Sequence, residues 1–199
     1  KMHPFISTMA NMLIIFGLVT YATKGVSFGA IDPTIPNIFI PQAGRFPMII
    51  LWAVVAIAVV WFIWNKTTFG KNMFAVGSNP EAANVSGVNV MRTTILVHTL
   101  AGCMYGITGF IESARIGSNQ ANTGLNYECD AIAACVIGGV SFVGGTGKIS
   151  GVVLGVFILR IIFVALQFLA VSQNMQYVIK GLIILIACAI DMRKYLVRK

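Results

Sequence analysis

Six long apolar runs, separated by polar stretches rich in Gly and Pro, dominate the pattern of the chain. They cover Phe5–Ala22, Pro47–Trp64, Thr93–Ile111, Ala131–Val143, Gly151–Val171 and Met175–Ile190. Four of them are long enough for a helix to cross a hydrocarbon layer of about 30 Å, and two are shorter. The pattern therefore predicts an all-α fold, a polytopic integral membrane helix bundle with about six membrane segments.

The fourth run, Ala131–Val143, is too short to be read from its length alone. A buried half-helix or re-entrant segment competes with a true span at this length, and periodicity does not separate the two. If the run did not cross, the basic tail Arg193–Lys199 would lie outside, against the preference of Lys and Arg for the cytoplasm. We therefore expect one short half-helix that crosses among its neighbours.

The basic residues divide unequally between the two sides when all six runs cross. Three lie on one side, Lys24, Arg45 and Arg115. Nine lie on the other side, namely Lys1, Lys66, Lys71, Arg92, Lys148, Arg193, Lys194, Arg198 and Lys199. The side with nine is assigned to the cytoplasm, so both termini, the loop over residues 65–92 and the turn at Lys148 are predicted to be cytoplasmic.

Composition supports a membrane protein and excludes several other classes. Apolar residues make up 57% of the 199 positions and charged residues 10%, against roughly 45–50% and about 25% in soluble domains. The net charge of +8 comes from residues scattered between apolar runs, so no basic face for nucleic acid is expected. The four cysteines lack the spacing of a zinc site or a disulfide framework.

Candidate catalytic and metal-binding patterns fail on inspection. The stretch before Lys148 invites a phosphate-loop interpretation, but Phe142 stands where the first Gly is needed and Ile149 where Ser or Thr is needed. His3 and His98 are too few and too far apart for a metal centre, and no Ser/His/Asp spacing indicates a nucleophile. We expect no catalytic residue, no metal and no cofactor in this chain.

The loop over residues 65–92 contains a short, strongly capped helix, predicted over Pro80–Ser86. Asn79 is a good N-cap, Pro80 suits the first helical position, Glu81 complements the positive helix end, and Gly87 can close the helix in the left-handed conformation. One interpretation is an ordinary surface helix. The other is a coupling element through which a soluble motor protein moves the membrane subunit. Its residues would be Asn79, Pro80, Glu81, Ala82, Ala83, Ser86 and Gly87, with Ala82, Ala83 and Val85 as its apolar contacts.

Glycines are concentrated where helices must approach closely. Gly147, Gly151 and Gly155 form two consecutive G-x-x-x-G steps at the fifth run. Two further pairs accompany the short run, so the predicted packing positions are Gly138, Gly139, Gly144, Gly145, Gly147, Gly151 and Gly155. Tight packing, rather than ligand chemistry, is the preferred interpretation.

Arg160 lies midway along the fifth run, where a charge costs about 2.5–3.5 kcal/mol on insertion scales. Gln167 shares its helix face, about 140° from that of Gly155. The two polar residues are candidates for the lining of a translocation path. The alternative, given equal weight, is that Arg160 forms a structural ion pair or an interface contact. Lys180 lies nearer the outer surface and is expected to snorkel.

Several strings resemble the permease subunits of bacterial ATP-binding-cassette sugar importers, within the superfamily shared with branched-chain amino-acid permeases. They are Phe69-Gly70-Lys71, Asn79-Pro80-Glu81-Ala82-Ala83, Asp130-Ala131-Ile132-Ala133-Ala134 and Gly138-Gly139-Val140-Ser141-Phe142. The resemblance runs the whole length of the chain and is nearest to galactose or methyl-galactoside permeases. It implies one permease domain over residues 1–199, the C-terminal part of a longer chain that starts upstream of Lys1. Arg160 departs from the pattern.

The resemblance also implies partners and a location. A monosaccharide such as galactose would cross a permease homodimer in the bacterial inner membrane, delivered by a periplasmic sugar-binding protein. ATP and magnesium would bind a separate cytoplasmic ATP-binding subunit, not this chain. The alternative function is an autonomous secondary carrier or channel for a small polar solute, because short Gly-interrupted segments are typical of such proteins. A membrane enzyme ranks third.

Overall fold

A computed structural model of the chain describes residues 4–27, 36 and 47–197. The regular elements of this part are eight α-helices: α1 Pro4–Thr23, α2 Met48–Lys66, α3 Thr68–Ser78, α4 Pro80–Val85, α5 Val90–Ile116, α6 Tyr127–Ile137, α7 Ile149–Phe168 and α8 Gln173–Val197. The predictions made for Lys1, His3, Arg45, Arg198 and Lys199 lie outside the described residues.

Five helices, α1, α2, α5, α7 and α8, are long and apolar enough to cross a membrane. They contain 19 to 27 residues, which at about 1.5 Å per residue matches or exceeds a hydrocarbon layer of about 30 Å. Large apolar side chains point outward along them, for example Leu13, Trp52 and Phe157. The prediction of an all-α, multi-pass membrane protein is confirmed.

The short fourth segment is a half-helix, but its predicted extent is wrong. Helix α6 begins at Tyr127 and ends at Ile137, where the apolar run suggested residues 131–143. It ends because Gly138 and the left-handed Gly139, with a φ of +83°, stop it within the apolar run. Eleven residues rise only about 16 Å, roughly half a hydrocarbon layer.

The chain divides into two compact units. The first contains Lys1–Val54 and Ala101–Leu125, and the second contains Val55–Leu100 and Asn126–Lys199. In the first unit, Arg115 pairs with Glu112 at 2.6 Å, and the Ser27 hydroxyl donates to the Asn119 carbonyl at 3.4 Å. All of the predicted site residues lie in the second unit.

In the second unit, α6 packs against both α7 and α8. Its contact with α7 is made by small residues: Ala133 and Ala134 are 0% and 4% exposed, and Gly155 of α7 is buried against them. A Cβ atom at Gly155 would overlap the carbonyl oxygen of Ala134 and lie 2.8 Å from the backbone nitrogen of Gly138. The two backbones therefore touch, with no room for a side chain between them.

We expect Gly155→Ala to destabilise the protein by about 1–3 kcal/mol, the usual cost of forcing extra atoms into a packed interface. The melting temperature of the detergent-purified protein measures the effect. Gly181→Ala in α8 is the matched control, because a Cβ there meets no atom within 4 Å and Ala is the better helix former. A Gly155→Ala variant as stable as this control would contradict the packing described above.

Candidate functional site

The short helix α4 is attached to α3 through a single residue, Asn79. Its backbone N–H donates to the Ala75 carbonyl at 3.1 Å and so closes α3. Its side-chain Oδ1 accepts from the backbone N–H of Glu81 at 3.0 Å and of Ala82 at 3.1 Å, and so begins α4. One residue caps two helices, which fixes the direction of α4 relative to α3.

The other end of α4 is closed by Gly87, whose φ is +85°. The backbone N–H of Val88 donates to the Ala83 carbonyl at 3.0 Å, and the Ser86 hydroxyl donates to the Ala82 carbonyl at 2.9 Å. A Cβ would strain this left-handed position, so Gly is the natural residue here. The helix itself covers Pro80–Val85, with Ser86 as its C-cap.

The expectation that Ala83 presents an apolar contact to a partner is wrong. Ala83 is 4% exposed, because it lies on the side of α4 that packs against its own unit. The open surface of the helix, which we call the α4 face, carries Val85 at 90% exposure together with exposed Glu81, Ala82 and Asn84. Local spacing could not reveal this, since a six-residue helix has no long periodic stripe to read.

The turn over residues 138–148, here called the glycine turn, lies against the end of α3. Gly144 and Gly145 have φ values of +98° and +71°. A Cβ at Gly77 would lie 2.9 Å from the Gly145 nitrogen, and a Cβ at Gly145 would lie 2.7 Å from the Ser78 Cα. The glycine turn and the last residues of α3 are thus in backbone contact, immediately before the cap of α4.

The predicted packing glycines fall into four groups. Gly138, Gly151 and Gly155 form the backbone contact between α6 and α7, while Gly144 and Gly145 meet the end of α3. At Gly147 a Cβ would lie 3.1 Å from the Val140 side chain. Packing is the wrong explanation for Gly139, because among the described residues no atom lies within 4 Å of a Cβ there. Its left-handed φ is what requires glycine.

The glycine turn is anchored to the last third of α8 by Asp191. The carboxylate Oδ2 of Asp191 accepts from the Ser141 hydroxyl at 3.0 Å and from the Phe142 backbone N–H at 2.9 Å. Sequence analysis missed Asp191. An acidic residue that lies beside basic residues at the end of an apolar run is typical of an ordinary charge at the membrane boundary. A cleft of about 550 Å³ opens beside the turn, lined in part by Phe74, Lys148 and Ser150.

A second polar anchor joins α6 to α8 near the start of α6. Lys180 Nζ lies 2.5 Å from Asp130 Oδ1, and also lies over the rings of Phe163 and Tyr177, at 5.2 and 5.5 Å from their centroids. The Lys180 side chain is only 13% exposed, so the expectation that it snorkels is wrong. The sequence contains the two opposite charges, one directly before the fourth apolar run and one within the sixth, but their pairing depends on tertiary structure.

Arg160 and Gln167 lie on the exposed face of α7. A different face, roughly 110° away on the helix, carries Gly155 and Leu159, which are buried against the rest of the unit. The two polar residues are seven positions apart, about 20° from alignment on a helix. The polar and glycine faces are thus separate, and within the described part of the chain Arg160 forms no ion pair.

Among the described residues, no group of three or more His, Cys, Asp and Glu side chains could hold a metal ion. The His98 Nδ1 atom lies 2.9 Å from the Thr94 carbonyl oxygen of its own helix.

Residues 1–188 match the family described as the branched-chain amino acid transport system permease component. The chain belongs to this family of membrane permeases. No solved structure matches it significantly.

Particular relatives are named for sugars. The galactose/methyl galactoside import permease of Treponema pallidum is 47% identical over 100% of this chain and 39% of its own length. The protein of the same name from Haemophilus influenzae is 45% identical over 98% of this chain and 60% of its own length. The ribose import permease of Bacillus subtilis is 37% identical over 98% of this chain and 61% of its own length. The chain thus spans between 39% and 61% of these relatives.

We expect Lys180→Met to lower the melting temperature, because it leaves the Asp130 carboxylate without its cation. The cost should lie between about 1 kcal/mol for an exposed pair and about 3–5 kcal/mol for a fully buried one. The double variant Asp130→Asn/Lys180→Met should recover part of that loss, since neither charge remains. Equal melting temperatures for the single and double variants would contradict the pairing.

Proposed function

We propose that this chain forms part of the transmembrane subunit of an ATP-driven bacterial sugar importer whose substrate is galactose or a methyl galactoside. The observation that carries this proposal is the 45–47% identity, over at least 98% of the chain, to permeases named for those sugars. Identity to permeases named for ribose and arabinose is lower, at 37% and 39%.

The proposed assembly follows from that role. Two copies of the permease form the pathway in the inner membrane, a periplasmic protein delivers the sugar, and a separate cytoplasmic subunit binds ATP and magnesium. The permease contributes no catalytic residue. Both termini of this segment, the α3–α4 region and the glycine turn are assigned to the cytoplasm. In support, Gly77 and Ser78 lie against Gly145, and Asp191 binds the same turn, so these three regions share one side of their unit.

A transport assay tests the proposal. Proteoliposomes are prepared with the complete permease, its ATP-binding subunit and its sugar-binding protein. They should take up labelled galactose only when ATP is present on the side of the membrane where the ATP-binding subunit lies. Ribose should compete poorly. Uptake that continues without the ATP-binding subunit would overturn the proposal in favour of an autonomous carrier, and uptake of ribose in preference to galactose would overturn the assigned sugar.

The α4 face is the proposed docking surface for the ATP-binding subunit. It is open, small and rigid, because both ends of α4 are capped and its exposed side chains include only one charge, Glu81. Short side chains lose little rotamer freedom on binding. The residues that shape this element are Asn79, Pro80, Ser86 and Gly87, with Ala83 as its internal support.

We expect Val85→Glu to insert and fold normally, since Val85 is 90% exposed, but to lose the ATP-binding subunit on co-purification. An unpaired charge buried in the interface should weaken binding by about a hundredfold or more. Lys148→Glu in the glycine turn is the comparison variant. If Val85→Glu bound normally and Lys148→Glu did not, the docking role would belong to the glycine turn.

Arg160 and Gln167 are the proposed lining of the sugar path. A charge at mid-helix must avoid lipid, and the two side chains share the face of α7 that its own unit leaves open. Hydrogen-bonding groups on such a face suit a polyhydroxylated solute.

Replacing Arg160 with Leu should lower sugar uptake by about tenfold or more, the size of effect expected from losing one transport-specific interaction. Membrane insertion should be unchanged or improved, because the charge is costly there. Ile161→Leu, at a neighbouring exposed position, is the control for lipid-facing changes. Normal uptake by Arg160→Leu would reduce the residue to a structural contact.

A further inference from the structure

The α4 face is connected to the membrane helices by an unbroken series of short contacts. Asn79 caps both α3 and α4. The two residues before it, Gly77 and Ser78, are in backbone contact with Gly144 and Gly145 of the glycine turn. The short Asn79 side chain and the backbone of Asn79 join α4 to α3, and backbone contact joins α3 to the glycine turn, so a displacement of α4 reaches the glycine turn without passing through a long side chain.

The glycine turn is in turn fixed to α8 at one carboxylate. Asp191 Oδ2 accepts from both Ser141 and Phe142. Ser141 also binds within the turn: its N–H donates to the Thr146 carbonyl at 3.2 Å, and its hydroxyl accepts from the Val143 N–H at 3.2 Å. Among the described residues Asp191 is the acidic residue of α8. Removing its carboxylate would free the turn from α8 while leaving α4 and its caps unchanged.

The two anchors on α8 have matching spacing. Asp130 and Ser141 are eleven residues apart on the α6 side, and their partners Lys180 and Asp191 are eleven residues apart on α8. Eleven residues are close to three helical turns, so Lys180 and Asp191 share one face of α8. Half-helix α6 and the glycine turn are therefore joined to this part of α8 by two polar contacts, one near the start of α6 and one in the turn.

We propose that Asp191 is a positioning residue for energy coupling, which holds the glycine turn so that movement of α4 is transmitted to half-helix α6 and α8. The inference rests on the proposed function, in which α4 receives the ATP-binding subunit. Asp191 touches neither sugar nor nucleotide in this role. It acts by keeping the turn engaged with both the end of α3 and α8.

The test is the number of sugar molecules imported per ATP hydrolysed in proteoliposomes with the complete importer. Asp191→Ala should assemble with the ATP-binding subunit and hydrolyse ATP like wild type, but import about tenfold less sugar per ATP, a change worth about 1.4 kcal/mol. Asp191→Asn retains an oxygen that can accept both hydrogen bonds and should stay near wild type. Met192→Ala, at the exposed neighbouring position, should be unaffected.

Each outcome separates the two proposals. A wild-type complex without ATP-dependent galactose import overturns the proposed function. A working wild type with an unchanged import ratio in Asp191→Ala overturns only the inference, as does an Asn variant as impaired as the Ala variant. If Asp191→Ala does not accumulate in the membrane, Ser141→Ala replaces it, since this change removes one of the two bonds to Asp191, together with the Val143 bond inside the turn, and leaves α8 intact. An import ratio equal to wild type in Ser141→Ala would then overturn the inference.

Discussion

Direct backbone contact between α6 and α7 is the constraint on which the second unit depends. Helix α6 is too short to cross the membrane on its own, so the polar groups at its ends must be satisfied by protein rather than by lipid. Glycines 138, 151 and 155 allow α7 to approach until main-chain atoms touch, which packs the C-terminal end of α6 against protein. Without that approach, neither the glycine turn nor its contact with α3 could be placed where it is.

Polar side chains add a second constraint to the close helix approach that the glycines allow. Interior glycine contacts fix how close two helices lie, but a smooth glycine surface does not prevent them from sliding along each other. The pairs Lys180–Asp130 and Asp191–Ser141 fix the half-helix and the turn after it along α8 rather than α7, one pair at each end of the half-helix. Glycines thus set the close approach of α6 to α7, whereas polar and charged side chains set the register of α6. The register comes from α8, although α7 separates α8 from α6 in sequence.

Sequence patterns predicted the long helices, the half-helix and the caps of α4, because these depend on composition, length and local backbone preference. The exact extent of α6 was not predicted, since Gly138 and Gly139 end the helix within a run that remains apolar. The inward position of Ala83, the pairing of Lys180 and the hydrogen bonds of Asp191 to the glycine turn were also missed. Each depends on which segments meet in space, and a single sequence carries that information only weakly.

The sharing of Asn79 between two helices has a consequence for how this region can change. Helix α2 ends at Lys66 and α3 begins at Thr68, and α3 ends at Ser78 while α4 begins at Pro80, so each junction is one residue long. A segment built this way has no loop in which an inserted residue could be absorbed. One added residue would turn everything beyond it by about 100° on a helix, swinging the α4 face away from its present direction. The length of this region is therefore constrained, in addition to the side chains of Asn79 and Gly77 on which its caps and backbone contacts depend.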